Sequence, residues 1–176
     1  MSRTHARGLL AAAAVAALAA APAAADSVTG NIVGANGDTI GTVMATAAPQ
    51  GVLLRIQVAA GSLPPGAHGM HLHMVGDCSD VGEFKMSKGH INVANREHGL
   101  LNPNGPDNAD LPNLIVHRDG SADVELFTTR VRLANDDAAL LDADGSALVI
   151  HESPDDHQTQ PIGGAGARIA CAPLTR

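Results

Sequence analysis

The sequence predicts an all-β domain of about eight antiparallel strands that begins after residue 25. In one run, apolar side chains occupy every second position, as a half-buried strand requires: Val52, Leu54, Ile56 and Val58. Three dipeptides that tolerate positive φ separate β-like runs, which is typical of hairpins: Asn36-Gly37, Asp119-Gly120 and Asp144-Gly145. No later segment shows a convincing amphipathic helical pattern, so these observations set the fold class.

The predicted strands extend along the whole domain. The three turns join residues 31–33 with 39–45, 114–117 with 122–128, and 140–141 with 147–151, and single strands are predicted at 52–60, 68–74 and 167–172. Two polar segments rich in Gly, Asn, Pro and Asp interrupt this order, at 75–113 and 152–166. Loops of this length in a compact domain are usually functional or disordered. We therefore expect the chemistry of the protein in these two loops.

The first 25 residues have the organisation of a secretory signal peptide. Two arginines supply a positive start, residues 9–21 form an apolar, alanine-rich run, and small residues follow at 23–25. A transmembrane anchor is the alternative, but the run is short and no stop-transfer pattern follows it. The sequence predicts cleavage near Ala25, a functional domain over residues 26–176, and an exported protein that is periplasmic or secreted.

The domain is strongly acidic, and this limits its partners. Two of the 11 basic residues lie in the first 25 positions, which leaves 9 against 18 acidic residues and a net charge of −9. The negative electrostatic field of such a domain would repel nucleic acid and anionic membranes, which argues against both as partners. An anionic substrate would need a local positive feature to overcome it. Because Phe84 and Phe127 are the only aromatic residues apart from histidine, the core must be aliphatic.

The chain has two cysteines, Cys78 and Cys171. In an exported protein the natural interpretation is a disulfide between them, and two free thiols are the alternative. The bond would close a loop of about 94 residues, worth on the order of 4–5 kcal/mol in the chain-entropy model. It would also tie the segment after His73 to the C-terminal strand.

Histidines and aspartates are concentrated at strand ends and in the long loops. His71 and His73 are two apart on a predicted strand, so their side chains project from the same face. The pair alone does not identify a metal, and an ordinary strand with two half-exposed histidines is the alternative. The remaining members of the set are His90, His98, Asp107, Asp110 and His151. Five imidazoles and two carboxylates exceed the needs of one ion, which indicates two sites.

Several motifs in order along the chain resemble the copper/zinc superoxide dismutases. Gly66-Ala67-His68-Gly69-Met70-His71-Leu72-His73, followed by Gly76-Asp77-Cys78, is similar to the first copper-binding strand of that family. The further motifs are Gly89-His90-Ile91-Asn92, His98-Gly99, Asp110-Leu111-Pro112-Asn113-Leu114, Val149-Ile150-His151 and residues 164–171. The resemblance implies an eight-stranded antiparallel Greek-key β-barrel or sandwich with two long functional loops. It also implies an enzyme that converts superoxide to oxygen and hydrogen peroxide with one copper and one zinc per chain.

The resemblance implies a ligand set for each metal. The copper ligands would be His71, His73, His90 and His151, and four nitrogens in a flattened arrangement suit Cu(II). His90 would bind copper with one ring nitrogen and zinc with the other, and its copper-binding nitrogen would carry one proton when copper is reduced. His98 and Asp110 match zinc ligands, and a tetrahedron of nitrogen and oxygen donors is a normal zinc site.

Asp107 is the main departure from the family pattern, which usually has a third zinc-binding histidine there. It lies nine residues after His98 and three before Asp110, so the spacing fits without a gap. An aspartate can bind zinc at a distance comparable to histidine, and its charge favours a divalent cation. We expect Asp107 to ligate zinc. The alternative is a zinc ion with three protein ligands and water. Three smaller departures remove no ligand. Met70 replaces a usual aromatic residue, Lys88 a glycine or alanine, and Gly164 an asparagine.

Three further residues take roles from the resemblance. Asp155 matches the aspartate that links a copper-binding to a zinc-binding histidine and so orients both. His68 matches a structural histidine that is hydrogen-bonded to the backbone, and we do not expect it to bind metal. Arg168 matches an active-site arginine that would attract and orient a small anion, which answers the problem set by the net charge. His117 and His157 match no motif, and surface positions are expected for both.

The leading interpretation is an exported superoxide dismutase. One alternative is a non-enzymatic copper-binding or copper-storage protein on the same fold, although such a protein has no need of a substrate-steering arginine. Another is a copper-only dismutase with a vestigial zinc site, which Asp107 makes plausible. The sequence leaves the oligomeric state open between a monomer and a homodimer.

Overall fold

The computed structural model describes residues 26–176; the signal-peptide prediction lies outside this range. This part of the chain forms nine strands, and its helical content is one 3₁₀ turn at Lys85–Ser87. In chain order the strands are β1 (Ser27–Gly34), β2 (Thr39–Ala48), β3 (Gly51–Val58), β4 (Gly66–His68), β5 (Met70–His73), β6 (Leu114–Val116), β7 (Ala122–Thr128), β8 (Ser146–His151) and β9 (Arg168–Leu174). The all-β prediction is confirmed.

The strands form a curled antiparallel sheet. Seven of them are hydrogen-bonded in the order β5-β8-β9-β1-β2-β3-β7, and β4 and β6 form a second, two-stranded sheet. Because β4 leads into β5 and β6 leads by a tight turn into β7, the small sheet connects the two edges of the large one. The chain from β7 to β8 crosses from one edge of the large sheet to the neighbour of the other edge, a long connection of the Greek-key kind.

The strand predicted at 68–74 is divided in two at Gly69. On its N-terminal side β4 pairs with β6, and on its C-terminal side β5 pairs with β8. The Gly69 C=O still accepts from the N–H of His151 at the end of β8 (2.8 Å), but the Gly69 N–H donates to Ser153 O in the following loop (2.9 Å) and not to β6. The chain therefore changes sheets here, so one predicted run becomes two strands. The predicted run at 140–141 does not form a strand, and the total is nine.

The three predicted hairpins have different outcomes. The turn at Asn36-Gly37 joins β1 to β2 as a paired hairpin, with Gly37 at φ 89°. Asp119-Gly120 forms a tight turn, but the strands it joins, β6 and β7, belong to different sheets. The hairpin predicted at Asp144-Gly145 does not form, so that prediction is wrong. Leu140 N–H donates to Arg132 O instead, and β8 pairs with β5 and β9. These partners lie far away in sequence, so a local turn signal cannot reveal them.

The core is aliphatic, as predicted from the near absence of aromatic residues. It fills the interior of the curled sheet and includes the fully buried Ile32, Leu54, Leu72 and Leu148. Phe84 is buried in a separate small cluster with Ala147, Val149 and Cys171 on the other face of β8 and β9. Strand alternation thus gives β8 two buried faces, one towards the core and one towards the loops.

The long loops at 75–113 and 152–166 have little regular structure, as predicted, and they cover this second face. A disulfide joins Cys78 in the first loop to Cys171 on β9, which confirms the predicted pairing. It fixes the start of the loop against the strand that carries Arg168. No helix within residues 26–176 is long and apolar enough to span a membrane.

Candidate metal centre

The β-strands bring three histidines to the face that the loops cover. On β5, Met70 and Leu72 point into the core, so His71 and His73 project to the opposite side. They pair with Val149 and Ala147 on β8, and His151 lies at the end of that strand, on the same face. Ligand atoms of His71, His73 and His151 all lie within 4.8 Å of one another.

The first long loop adds His90 to this group. A β-bridge joins the backbones of His73 and His90 across the gap between β5 and the loop. The His90 ring centroid lies 4.3 Å from that of His71 and 5.5 Å from that of His73. The four residues predicted to bind copper are therefore neighbours in the structure, although the loop and strands that carry them are separated by up to 80 positions.

Each of these four imidazoles has one buried ring nitrogen without a hydrogen-bond partner. The atoms are His71 Nδ1, His73 Nε2, His90 Nε2 and His151 Nε2; among residues 26–176, the other buried side-chain atoms in this condition are Ser146 Oγ and His157 Nδ1. Buried polar atoms are nearly always paired, so four free nitrogens on neighbouring imidazoles are an exception that a ligand would explain. Imidazole nitrogen suits copper, and the residues fit the metal that the sequence implied.

Hydrogen bonds at the opposite ring nitrogens fix which nitrogen is free. His73 Nδ1–H donates to Lys88 O (2.8 Å), and His151 Nδ1–H donates to Gly166 O (3.0 Å). His71 Nε2–H donates to the Asp155 carboxylate (2.9 Å). Because a neutral imidazole has one donor and one acceptor, each free nitrogen carries its lone pair. The tautomers are those that a metal ligand needs.

The pKa values of these histidines also favour the neutral form. Burial, together with the nearby Arg168 and His90, holds the pKa of His73 well below its usual range. Burial, against the bond to Gly166 and with the nearby His71 and Arg168, lowers the pKa of His151 to about 4. Burial also lowers the pKa of His71, against the opposing effect of Asp155. Near neutral pH all three are unprotonated and able to coordinate a cation.

A second cluster lies on the other side of His90. His90 Nδ1 lies 2.8 Å from Asp107 Oδ2, and His98 Nδ1 lies 2.5 Å from Asp110 Oδ1. Ligand atoms of His90, His98, Asp107 and Asp110 lie within 4.8 Å of one another, and the last three residues are buried. Two nitrogens and two carboxylate oxygens make a donor set that suits zinc. His90 thus offers one nitrogen to each cluster.

Backbone amides hold the two carboxylates of this cluster. Asp110 Oδ2 accepts from the N–H groups of Gly99 (2.8 Å) and Asp107 (2.9 Å), and Asp107 Oδ1 accepts from Ala109 N–H (2.8 Å). Burial alone would raise the pKa of Asp110, but the hydrogen bonds from His98 and Gly99 outweigh it and lower that pKa. Both carboxylates therefore present an ordered oxygen to the cluster.

Asp155 connects the two clusters. Its Oδ2 lies 2.9 Å from His71 Nε2 and its Oδ1 lies 3.1 Å from His98 Nε2. Burial would raise the pKa of this carboxyl, but the bonds from the two imidazoles hold it well below its usual range. Asp110 and Asp155 likewise outweigh the effect of burial and raise the pKa of His98 to about 10. With both oxygens used by imidazoles, Asp155 lies where the sequence placed it, as a link.

Arg168 lies beside the copper-side histidines. It starts β9, pairs with His151 in the strand ladder, and with His73, His90 and His151 it lines an open cavity of about 430 Å³. Its guanidinium donates to Phe84 O (2.5 Å) and Lys88 O (2.8 Å) in the first long loop. Desolvation lowers the pKa of Arg168, against Asp80. In this cavity the Arg168 guanidinium therefore lies beside the unpartnered nitrogens of His73, His90 and His151.

Most of the chain is similar to known proteins. The sequence profile of the copper/zinc superoxide dismutase family matches residues 39–174. A Cu-Zn superoxide dismutase of Caulobacter vibrioides is 48% identical over 148 residues, which cover 82% of this chain and 83% of that protein. The chain belongs to the copper/zinc superoxide dismutase family. It is therefore an oxidoreductase that dismutates superoxide, and copper and zinc are its metals.

Solved structures of this superoxide dismutase family agree with the fold. A SOD-like protein from Bacillus subtilis superimposes with a TM-score of 0.78 at 36% identity, covering 83% of this chain and 97% of that one. The Cu/Zn superoxide dismutase from Brucella abortus superimposes with a TM-score of 0.67 at 26% identity, covering 85% and 99% of the two chains.

Several residues around this superoxide dismutase site lie outside the sequence prediction. Asn113 bonds the backbone of Asp155 in both directions, its Nδ2 to O (2.9 Å) and its Oδ1 from N–H (2.9 Å). Lys88, noted for its charge, contributes its carbonyl, and Ser87 is fully buried beside it. No residue-type signal marks contacts through backbone carbonyls, so the sequence could not have revealed them.

The other predicted roles have mixed outcomes. His68 Nδ1 lies 2.7 Å from His151 O and His68 Nε2 lies 2.8 Å from Pro64 O. The ring is therefore bonded to the backbone next to the copper-side histidines. His117 is exposed, as predicted. The surface position predicted for His157 is wrong, because its side chain is only 18% exposed and packs against Asp155. His157 N–H donates to Asp155 Oδ1 (2.6 Å) and its Nε2 lies 3.4 Å from Asn113 Nδ2, contacts that the sequence does not report.

Proposed function

We propose that this chain dismutates superoxide at a copper ion held by His71, His73, His90 and His151, with zinc held by His90, His98, Asp107 and Asp110. The observation that carries the proposal is that four neighbouring imidazoles each have a buried ring nitrogen without a hydrogen-bond partner. Both donor sets fit their metals, as four nitrogens suit copper and two nitrogens with two oxygens suit zinc.

Copper, when bound, supplies the one-electron chemistry between Cu(II) and Cu(I) that turns two superoxide ions and two protons into oxygen and hydrogen peroxide. Arg168 attracts the anion into the cavity, where the overall charge of the domain would repel it. Its two carbonyl contacts fix the guanidinium, so the anion is oriented as well as attracted. Arg168 is thus the residue that binds substrate.

His90 is the residue that moves a proton. Its Nε2 has no hydrogen-bond partner and its ring lines the cavity, so this nitrogen can hold a proton beside the substrate. Nδ1 stays with Asp107 on the zinc side at the same time. Zinc, when bound by His90, His98, Asp107 and Asp110, would have no redox role and would hold the ring and the loop in place. His71 and His98 keep their tautomers through Asp155.

A dismutation assay with xanthine oxidase tests the activity on copper- and zinc-loaded protein. Wild-type protein should dismutate superoxide, and Arg168→Gln should lower the rate about tenfold at low salt because it removes the local positive charge. Arg55→Gln is the matched control, since Arg55 is exposed on the sheet and pairs with Asp123. Full copper occupancy without dismutation would favour the copper-storage alternative, and equal rates for the two variants would contradict the role of Arg168.

Zinc ligation by Asp107 is the least conventional part of the proposal. Its support is the buried carboxylate 2.8 Å from His90 Nδ1 and the backbone bond that orients it. Anomalous diffraction at the zinc edge should place the ion within bonding distance of an Asp107 oxygen. An ion held by His90, His98 and Asp110 with water in the fourth position would contradict this ligand.

We also propose that the protein is exported by cleavage near Ala25 and acts in the periplasm or outside the cell, with no membrane or nucleic-acid partner. The support is the signal-peptide pattern, together with the disulfide that such compartments favour. Sequencing the N-terminus of protein from the periplasmic fraction should give Asp26 as the first residue. Recovery of the uncleaved chain from cytosol or membranes would contradict the proposal, and sedimentation of the same sample would decide between monomer and homodimer.

A further inference from the structure

Ser87 lies between a proposed copper ligand and the proposed substrate-binding arginine. Its side chain is fully buried, and its Oγ has three polar neighbours. They are Phe84 O at 2.7 Å, Arg168 Nη1 at 3.2 Å and His73 Nδ1 at 3.3 Å. No motif in the sequence singled out this residue.

The donor and acceptor inventory of this hydroxyl is complete. A serine hydroxyl offers one hydrogen and two lone pairs. Its hydrogen goes to Phe84 O, because that carbonyl can only accept. The lone pairs then face two donors, the guanidinium of Arg168 and the Nδ1–H of His73, which donates mainly to Lys88 O. No other side chain of residues 26–176 bonds to both Arg168 and His73.

The Ser87 hydroxyl is also one of the acceptors that hold the Arg168 guanidinium in place. Arg168 Nη1 contacts Phe84 O and Ser87 Oγ together, while Nη2 contacts Lys88 O. Ser87 also donates to Phe84 O, the other acceptor of Nη1. Removal of the hydroxyl would take away one acceptor of Nη1 and so loosen that end of the guanidinium. Planar guanidinium recognition depends on such fixed pairs of acceptors.

We propose that Ser87 is a positioning residue, which holds the Arg168 guanidinium at a set place relative to His73 and so tunes anion binding at the copper. The inference rests on the proposed role of Arg168. Ser87 itself does not touch the anion; it acts through Arg168. Because the two backbone carbonyls remain, loss of the hydroxyl should weaken anion binding and not abolish it.

Azide, a small monovalent anion, provides the test. Its affinity for the copper(II), zinc protein is measured by titration of the visible absorption spectrum. Ser87→Ala should weaken azide binding about fivefold, which is within the range for residues coupled in one network. Ser146→Ala is the matched control: Ser146 is equally buried, but its Oγ has no hydrogen-bond partner. This control should leave the azide affinity within twofold of wild type.

A double-mutant cycle separates positioning from a general loss of structure. In an Arg168→Gln background, Ser87→Ala should have little further effect on azide affinity, because the group it positions is gone. An equal fivefold loss in both backgrounds would overturn the proposal. If Arg168→Gln weakens azide binding and Ser87→Ala does not, the inference fails while the proposed role of Arg168 stands. If Arg168→Gln alone has no effect, that role fails first.

A measurement on wild-type protein covers the case in which Ser87→Ala does not fold. In the copper(I), zinc form, nitrogen-15 spectra should show separate, slowly exchanging Nη1 and Nη2 signals for Arg168, since each end of the guanidinium has its own acceptors. One averaged signal in wild type would overturn the proposal directly. Averaging in Ser87→Ala alone would support it.

Discussion

The replacement Asp155→Asn is expected to weaken copper binding more than zinc binding. The carboxylate is 3% exposed, and its two oxygens have different partners. Oδ1 accepts from His157 N–H (2.6 Å) and lies 3.1 Å from His98 Nε2, whereas Oδ2 lies 2.9 Å from His71 Nε2 and 3.4 Å from His157 Nδ1. An asparagine has one oxygen, which the His157 amide will retain at the Oδ1 position.

The amide nitrogen of the variant then faces His71. Two donors cannot bond to each other, so His71 must move its proton from Nε2 to Nδ1, the nitrogen that is free for copper. Copper must displace that proton before it binds. Outer partners of metal-bound histidines are typically worth about 10- to 100-fold in metal affinity. We expect a copper loss in this range, and a smaller zinc loss because His98 keeps its oxygen.

The affinities are measured by competition with a chromophoric chelator, for copper and zinc separately. Asp156→Asn is the control, because Asp156 is exposed and its side chain bonds only to Gln158 and Thr159 in its own turn. Equal copper affinities for the two variants would refute the tautomer argument. A loss confined to zinc would show that the oxygen stays with His71 instead.

Three further predictions follow from the same contacts. Asp107→Ala should lower zinc affinity at least tenfold while Asp107→His, which restores the family residue, keeps it, as a chelator titration would show; equal affinities for all three proteins would exclude Asp107 as a ligand. In metal-free protein, His98 has a pKa of about 10 against 6.5 when unfolded, so its contribution to stability is complete below pH 6.5 and is lost as the pH rises towards 10. Urea unfolding of wild type should show this decline and His98→Gln should lack it; parallel curves would contradict the charge pairing. Replacing Cys78 and Cys171 with serine should cost on the order of 4–5 kcal/mol in the free energy of unfolding, by the loop-closure model, and a loss below about 1 kcal/mol would mean that the reduced loop is already constrained.

Sequence reasoning succeeded where the signal is local or chemical. The alternation at Val52–Val58 gave β3, and the dipeptide Asn36-Gly37 gave a hairpin, since both depend on φ and ψ within a few residues. The compartment argument gave the disulfide, because two cysteines leave only one pairing. The same logic failed at Asp144-Gly145, where Gly145 has a positive φ (70°) but the strand after it pairs elsewhere.

The sequence by itself determined the fold class, the types of donor atom and their order along the chain. Strand alternation depends only on neighbouring residues, and donor type depends only on the residue itself. Only the tertiary structure decided which nitrogen of each histidine is free, which Asp155 oxygen faces which cluster, and how Ser87 joins Arg168 to His73. These are contacts between β5, β9 and two long loops, with partners up to 84 positions apart. They depend on how the curled sheet packs, which no local pattern records.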